Sequence, residues 1–124
     1  MPIELPNLWD GLKNQNVSYE GSRWTIAHLV ECAKELEVFD LDIKSFSFAN
    51  TVSFGNDLLT IAAHVKKVND ADLKYPIILH PEGYILDGRH RMTKALISGK
   101  DTIKAVRFGY SNLPAPSSTY DVSD

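Results

Sequence analysis

The densest run of chemically capable side chains in this sequence is Asp87-Gly88-Arg89-His90-Arg91, with Lys94 three residues further on. A glycine turn that opens a helix suits an anion. The first backbone N–H groups of a helix have no internal partner and carry the positive end of the dipole. Gly88 permits a tight turn and a close approach of phosphate to the backbone. Arg89 and Arg91 supply planar forks that match phosphate oxygens. His90 can donate a hydrogen bond or move a proton near neutral pH. Lys94 extends the face of Arg91. Asp87 can cap the helix or accept hydrogen bonds from a bound hydroxyl or base. The competing reading is a capped surface helix whose arginines pair with upstream carboxylates. Three basic groups at the positive end of a helix oppose its dipole, which favours the anion site.

These residues need a frame, and the surrounding pattern supplies one. Ile77–Leu79 and Tyr84–Leu86 are short apolar runs divided by Pro81-Glu82-Gly83, a hairpin signature. Arg91, Met92, Ala95 and Leu96 continue as a helix that Gly99 stops, and Thr102 to Phe108 is a closing strand. Upstream, Ile26, Leu29, Val30, Ala33 and Leu36 make an apolar stripe. It predicts a helix over 22–37, with Ser22 or Thr25 as its cap. Phe39, Leu41 and Ile43 alternate with polar residues as in a half-buried strand, and residues 50–55 read as a loop. Asp57 caps a predicted helix over 58–68, with Leu58, Ile61, Ala62, Val65 and Val68 on its apolar face. Residues 1–21 read as an N-terminal arm, 22–110 as the folded domain and 111–124 as a polar tail or strap.

Composition restricts the function classes. The chain has 124 residues, 44% of them hydrophobic and 23% charged, which suits one globular α+β domain. No apolar run has membrane-span length, so no membrane association is expected. Cys32 is the only cysteine and excludes an internal disulfide. With no signal-peptide pattern at the start, the expectation is a cytoplasmic protein. The net charge of −3 is uneven. Residues 1–86 carry −5 and residues 87–107 carry +4, so the basic excess coincides with the glycine turn. Asp40 and Asp42 stand at a spacing that can hold Mg²⁺, without a third ligand nearby in sequence. His28, His64 and His80 read as structural or surface histidines, and Cys32 as apolar filler.

From Pro76-Ile77-Ile78-Leu79 through Gly83-Tyr84-Ile85-Leu86-Asp87-Gly88-Arg89-His90-Arg91 to Gly99 and Ile103–Val106, the sequence resembles the ParB/sulfiredoxin superfamily, the ParB-like nuclease domains included. The resemblance is specific over about 75–108 and loose over 40–70. It implies a small mixed sheet packed with helices and a nucleotide phosphate bound at the glycine turn. Gly88, Arg89, His90, Arg91 and Lys94 are the implied phosphate-binding residues, and Asp87 and His90 the implied catalytic ones. Mg²⁺ would arrive with a nucleoside triphosphate. Arg89 occupies the position of the sulfiredoxin cysteine, so reductase chemistry is not expected. No helix-turn-helix follows, so partition-type DNA binding is not expected either. Three readings stay open. The first is a nucleotide- or phosphate-binding domain, with or without hydrolysis or phosphoryl transfer. The second is a nucleic-acid module or nuclease. The third is a non-enzymatic protein partner or homodimer.

Overall fold

Ile77, Ile78 and Leu79 are all buried. Side chains alternate across a strand, so three consecutive buried residues require cover on both faces of the sheet. The computed structural model, which describes residues 16–19, 21–48 and 54–119, provides that cover. Its elements in chain order are β1 (Asn16–Tyr19), β2 (Ser22–Thr25), α1 (Ile26–Ala33), β3 (Phe39–Asp42) and a 3₁₀ turn (Ile43–Ser45). Then come α2 (Leu58–Asp70), β4 (Ile77–Leu79), β5 (Ile85–Asp87), α3 (Arg89–Ile97), β6 (Thr102–Arg107) and β7 (Ser118–Thr119). The fold is α+β. A mixed sheet runs in the order β3-β6-β4-β5, and a smaller sheet runs β1-β2-β7. β4 pairs antiparallel with β5 and parallel with β6, and β6 pairs antiparallel with β3.

The alternation sorts the core into two layers. Ile78, Leu86, Val106 and Phe108 pack with Trp24, Leu29 and Ala33 from β2 and α1. Ile77, Leu79, Ile103 and Ala105 face the other way and pack with Ile43, and with Met92 and Ala95 of α3. The sheet thus holds α3 rigidly, with the N-terminus of that helix directly after β5. The other end of α3 is closed by a Schellman arrangement: Lys100 N–H donates to Ala95 O at 3.0 Å and Gly99 N–H to Leu96 O at 3.2 Å. Gly99 at φ 70° supplies the left-handed residue this motif needs.

Two expectations are corrected. Residues 22–25 are strand, and the helix begins at Ile26. Ser22-Arg23-Trp24-Thr25 alternates, Trp24 turns into the core, and pairing with β1 and β7 outweighs the helical pattern. On α2, the expected apolar face is largely outside. Leu58 is 82% exposed, and Ile61 and Val65 are exposed as well, whereas Ala63, Lys67 and Val68 are buried. Asp40 and Asp42 lie on a solvated strand face, the reading preferred over a Mg²⁺ site at this spacing. The Asp42 carboxylate accepts from Lys44 N–H at 3.0 Å and from Ser45 Oγ at 2.9 Å, and so starts the 3₁₀ turn. Asp57 caps α2 as expected, accepting from Thr60 N–H at 2.9 Å. Residues 16–19 pair as β1 within the stretch read as an arm. The downstream strap is anchored by Trp24 Nε1 donating to Pro114 O at 2.9 Å and Ser117 N–H to Arg23 O at 2.8 Å. The rest of the arm and residues 120–124 lie outside the described residues. Among the described residues, no helix is long and apolar enough to cross a membrane.

Candidate functional site

The site begins with one glycine. Gly88 takes the N-cap position of α3 at φ 110°, in the left-handed region, and makes no side-chain cap. A Cβ there would lie 2.5 Å from Ile77 Cγ2. Glycine is therefore required twice, by the backbone angle and by the close passage over β4. The turn ends β5 and starts α3 within one residue. Arg89, His90 and Arg91 are thereby forced onto the first turn of the helix, where they fan out to different neighbours.

Arg91 and Lys94 find internal partners. Arg91 Nη2 donates to Asp87 Oδ2 at 2.8 Å and Nη1 to Pro76 O at 2.9 Å. Both side chains of that ion pair are mostly buried. The pair staples the end of β5 and the entry to β4 onto α3. Lys94 Nζ donates to Asn69 O at 2.9 Å and Ala71 O at 2.6 Å, closing the C-terminal end of α2. Asp87 is therefore occupied by Arg91 and is not the helix cap.

Arg89 and His90 point to a different set of groups, drawn from α2 and the loop before it. His64 Nδ1 and His90 Nε2 are 2.8 Å apart and share a hydrogen bond. The ring centroids are 5.0 Å apart and the planes differ by 12°. Those values describe two imidazoles lying edge to edge in nearly one plane. Phe54 covers both, its centroid 4.7 Å from that of His64 and 4.9 Å from that of His90, with nearly parallel rings. Arg89 Cζ stands 5.3 Å from the Phe54 centroid, within cation–π range. Lys67, one turn along α2 from His64, is buried close by.

This is a cationic cluster. Burial first, then the positive charges of Lys67 and Arg89, lowers the His64 pKa from its ordinary 6.5. Burial, then His64, Lys67, Arg89 and Arg91, pushes His90 down to about 4. Burial, with Arg89 adding to it, also lowers the Lys67 pKa. Burial lowers that of Arg89 as well, although a guanidinium stays charged at any ordinary pH. No carboxylate contributes to any of these shifts. The Arg89 guanidinium, half-buried with five N–H donors, has no hydrogen-bond or ion-pair partner among the described residues. A half-buried guanidinium without such a partner is costly, and an anion offsets that cost.

Among the described residues, no group of three or more His, Cys, Asp or Glu is placed to hold a metal ion. With its carboxylate committed to Arg91, Asp87 does not make a protein-held Mg²⁺ site. A separate cavity of about 260 Å³ opens beside the hairpin turn, lined by Leu41, Phe46, Leu79, Glu82, Tyr84 and Arg107 among others. None of the residues from Asp87 to Arg91 lines it.

The sequence reading thus has Gly88, Arg89 and His90 at one place, with Arg91, Asp87 and Lys94 bonded within the scaffold. It lacked Phe54, His64 and Lys67. The available signal was the spacing of His64 and Lys67, three residues apart on one helical face beside the small Ala63. The chain matches no family model, no curated protein and no solved structure.

Proposed function

We propose that the protein binds a nucleotide or another phosphate-bearing ligand at the N-terminus of α3, as the resemblance to ParB-like domains implies. The observation that carries this reading is the half-buried Arg89 guanidinium, without a hydrogen-bond or ion-pair partner among the described residues and set beside Lys67, His64 and His90. Backbone N–H groups of the first turn of α3 and the Arg89 fork are the donors for phosphate oxygens. Gly88 lets the chain turn from β5 into α3 against Ile77. Arg91 and Asp87 hold the turn in place instead of touching the ligand. When Mg²⁺ accompanies a triphosphate, it enters with the nucleotide and neutralises phosphate charge. In a phosphoryl-transfer reaction Arg89 would stabilise charge at the transferred group.

The nucleic-acid reading has less support. Of the six basic residues in 87–107, Arg91, Lys94 and Arg107 donate to internal acceptors, Arg107 to Pro81 O. Half of the basic side chains of this segment are therefore engaged with the protein's own acceptors and not extended toward a polyanion. The scaffold reading shares the Arg91–Asp87 pair with the proposal but does not account for Arg89. Calorimetric titration with CTP, ATP, GTP and inorganic pyrophosphate, with and without Mg²⁺, tests the reading. Wild type binds at least one of them, and R89M weakens that binding by about 10- to 100-fold, the loss of one or two charge-assisted hydrogen bonds. No binding of any of the four at millimolar concentration refutes it.

A further inference from the structure

Building on the anion-site reading, we propose that His64 and His90 act as one proton-accepting unit, and that a terminal, doubly charged phosphate or similar dianion binds by drawing one proton onto the pair. Two neutral imidazoles have four ring nitrogens and two N–H protons. The 2.8 Å contact between His64 Nδ1 and His90 Nε2 consumes one proton and one lone pair. The outer nitrogens, His64 Nε2 and His90 Nδ1, then carry one N–H and one lone pair between them, in either tautomer. The lone pair repels an anionic oxygen. A third proton converts it to a donor, and the pair then offers an N–H at both outer edges.

Those outer edges are available. Neither outer nitrogen has a hydrogen-bond partner among the described residues. Among the described residues, no fully buried side-chain nitrogen or oxygen lacks a partner, so neither of these two atoms is fully buried. Phe54 lies across both rings and fixes their common plane.

The surroundings explain why the proton arrives only with a dianion. Lys67 faces the pair from α2, and Arg89 and Arg91 from α3; Arg91 is compensated by Asp87. Phe54, from the preceding loop, adds no charge. Without ligand, partial burial and the nearby positive charge, that of Arg89 included, keep the imidazoles neutral. A further positive charge is tolerated when the ligand brings two negative ones. A phosphodiester brings one and does not balance it. In the binding step one proton moves from solvent to the outward lone pair of the pair, and no covalent bond of the ligand changes.

Sulfate is the test ligand, because it stays a dianion over the range where imidazole titrates. Titrations in buffers of different ionisation enthalpy read the proton count directly. Wild type takes up about one proton per sulfate near neutral pH, and its affinity tightens by about tenfold per unit fall in pH over the window between the free and bound pKa values. Dimethyl phosphate, a monoanion, binds more weakly and without uptake. In H64N the amide still faces His90 but does not titrate, so sulfate binding loses most of its proton uptake and its pH slope. Sulfate binding with no uptake and no pH slope in wild type overturns the proton coupling and leaves the anion site standing. Undiminished uptake in H64N also overturns it, since the proton then goes elsewhere. Failure of sulfate, pyrophosphate and nucleotides to bind at any pH removes the anion site and this inference together. The wild-type buffer series decides the matter without the variant if H64N does not fold.

Discussion

Arg89 and Arg91 are two residues apart on the same helical turn, and the proposed anion site gives them opposite jobs. Replacing each by methionine keeps most of the aliphatic stem and removes the charge. In R91M the Asp87 carboxylate loses its 2.8 Å partner and Pro76 O loses its 2.9 Å donor. The two side chains of that pair are only 18% and 22% exposed, so water replaces the lost bonds poorly. Breaking a fully buried pair costs about 3–5 kcal/mol, and a hydrogen bond to a charged group is worth about 1.5–3 kcal/mol. Partial exposure places R91M at about 2–3 kcal/mol, a fall in Tm of about 8–12 °C for a domain of this size. R89M loses no hydrogen bond. It forfeits a cation–π contact worth about 0.5–1 kcal/mol and relieves repulsion from Lys67. Its stability stays within about 1 kcal/mol of wild type. Sulfate affinity follows the reverse order: R89M loses about 10- to 100-fold, whereas R91M retains binding at temperatures below its own midpoint. Urea denaturation and sulfate calorimetry on the same preparations give both readouts. Comparable stability losses in the two variants, or abolished binding in folded R91M with R89M unaffected, would refute the division of roles.

Three further outcomes follow from the same geometry. G88A places a Cβ against Ile77 Cγ2 at a left-handed backbone angle, and urea denaturation should show a loss of about 2–4 kcal/mol, the sum of strain and overpacking. K94M removes the donor to Asn69 O and Ala71 O. It lowers stability by about 1–2 kcal/mol, and hydrogen exchange should speed up at the C-terminal turn of α2, with sulfate affinity within about twofold of wild type. The third concerns pH. The His90 pKa in the fold, about 4, lies below its ordinary 6.5, so as pH falls the unfolded chain binds the proton first. Its contribution to stability is full above about pH 6.5 and is lost progressively as pH falls toward 4. Urea midpoints at pH 7.5 and pH 5 should differ in that direction, and sulfate should reduce the difference.

The segment from Pro76 to Phe108 was readable because its signals are local. Pro76 marks a strand start, Pro81-Glu82-Gly83 a turn, Gly88 a tight turn and Gly99 a helix stop, and each acts through its own backbone angles. The Asp57 cap was readable for the same reason. β2 was not, because the helical periodicity of 26–36 runs smoothly back into 22–25. What makes those residues a strand is pairing with β1 and with β7, the latter about 95 residues away in sequence, which no local window contains. The roles of Arg91 and Lys94 were hidden similarly. A basic residue at the start of a helix looks the same in sequence whether it awaits a phosphate or holds Asp87, Asn69 O or Ala71 O.

The rotation of α2 connects the fold to the site. Periodicity selects Leu58, Ile61, Ala62, Val65 and Val68 as the apolar face, and burial of each large apolar side chain is worth about 1.5–3 kcal/mol. The helix buries Val68 but leaves Leu58, Ile61 and Val65 exposed and buries Lys67, the reverse of what transfer energies favour. Contacts along the α2–α3 seam hold it there. Ala63 is small enough for close approach, Val68 packs inward, and Lys94 of α3 grips the two carbonyls at the far end. Turning α2 to bury its apolar stripe would break the Lys94 bonds and carry His64 away from His90. The orientation that weakens the core is the one that completes the cationic cluster. That trade is expected where a polar constellation, and not stability, fixes how a helix sits. It also explains why hydrophobic patterning found α2 and missed its contribution to the site: the face that matters is the one the pattern assigns to solvent.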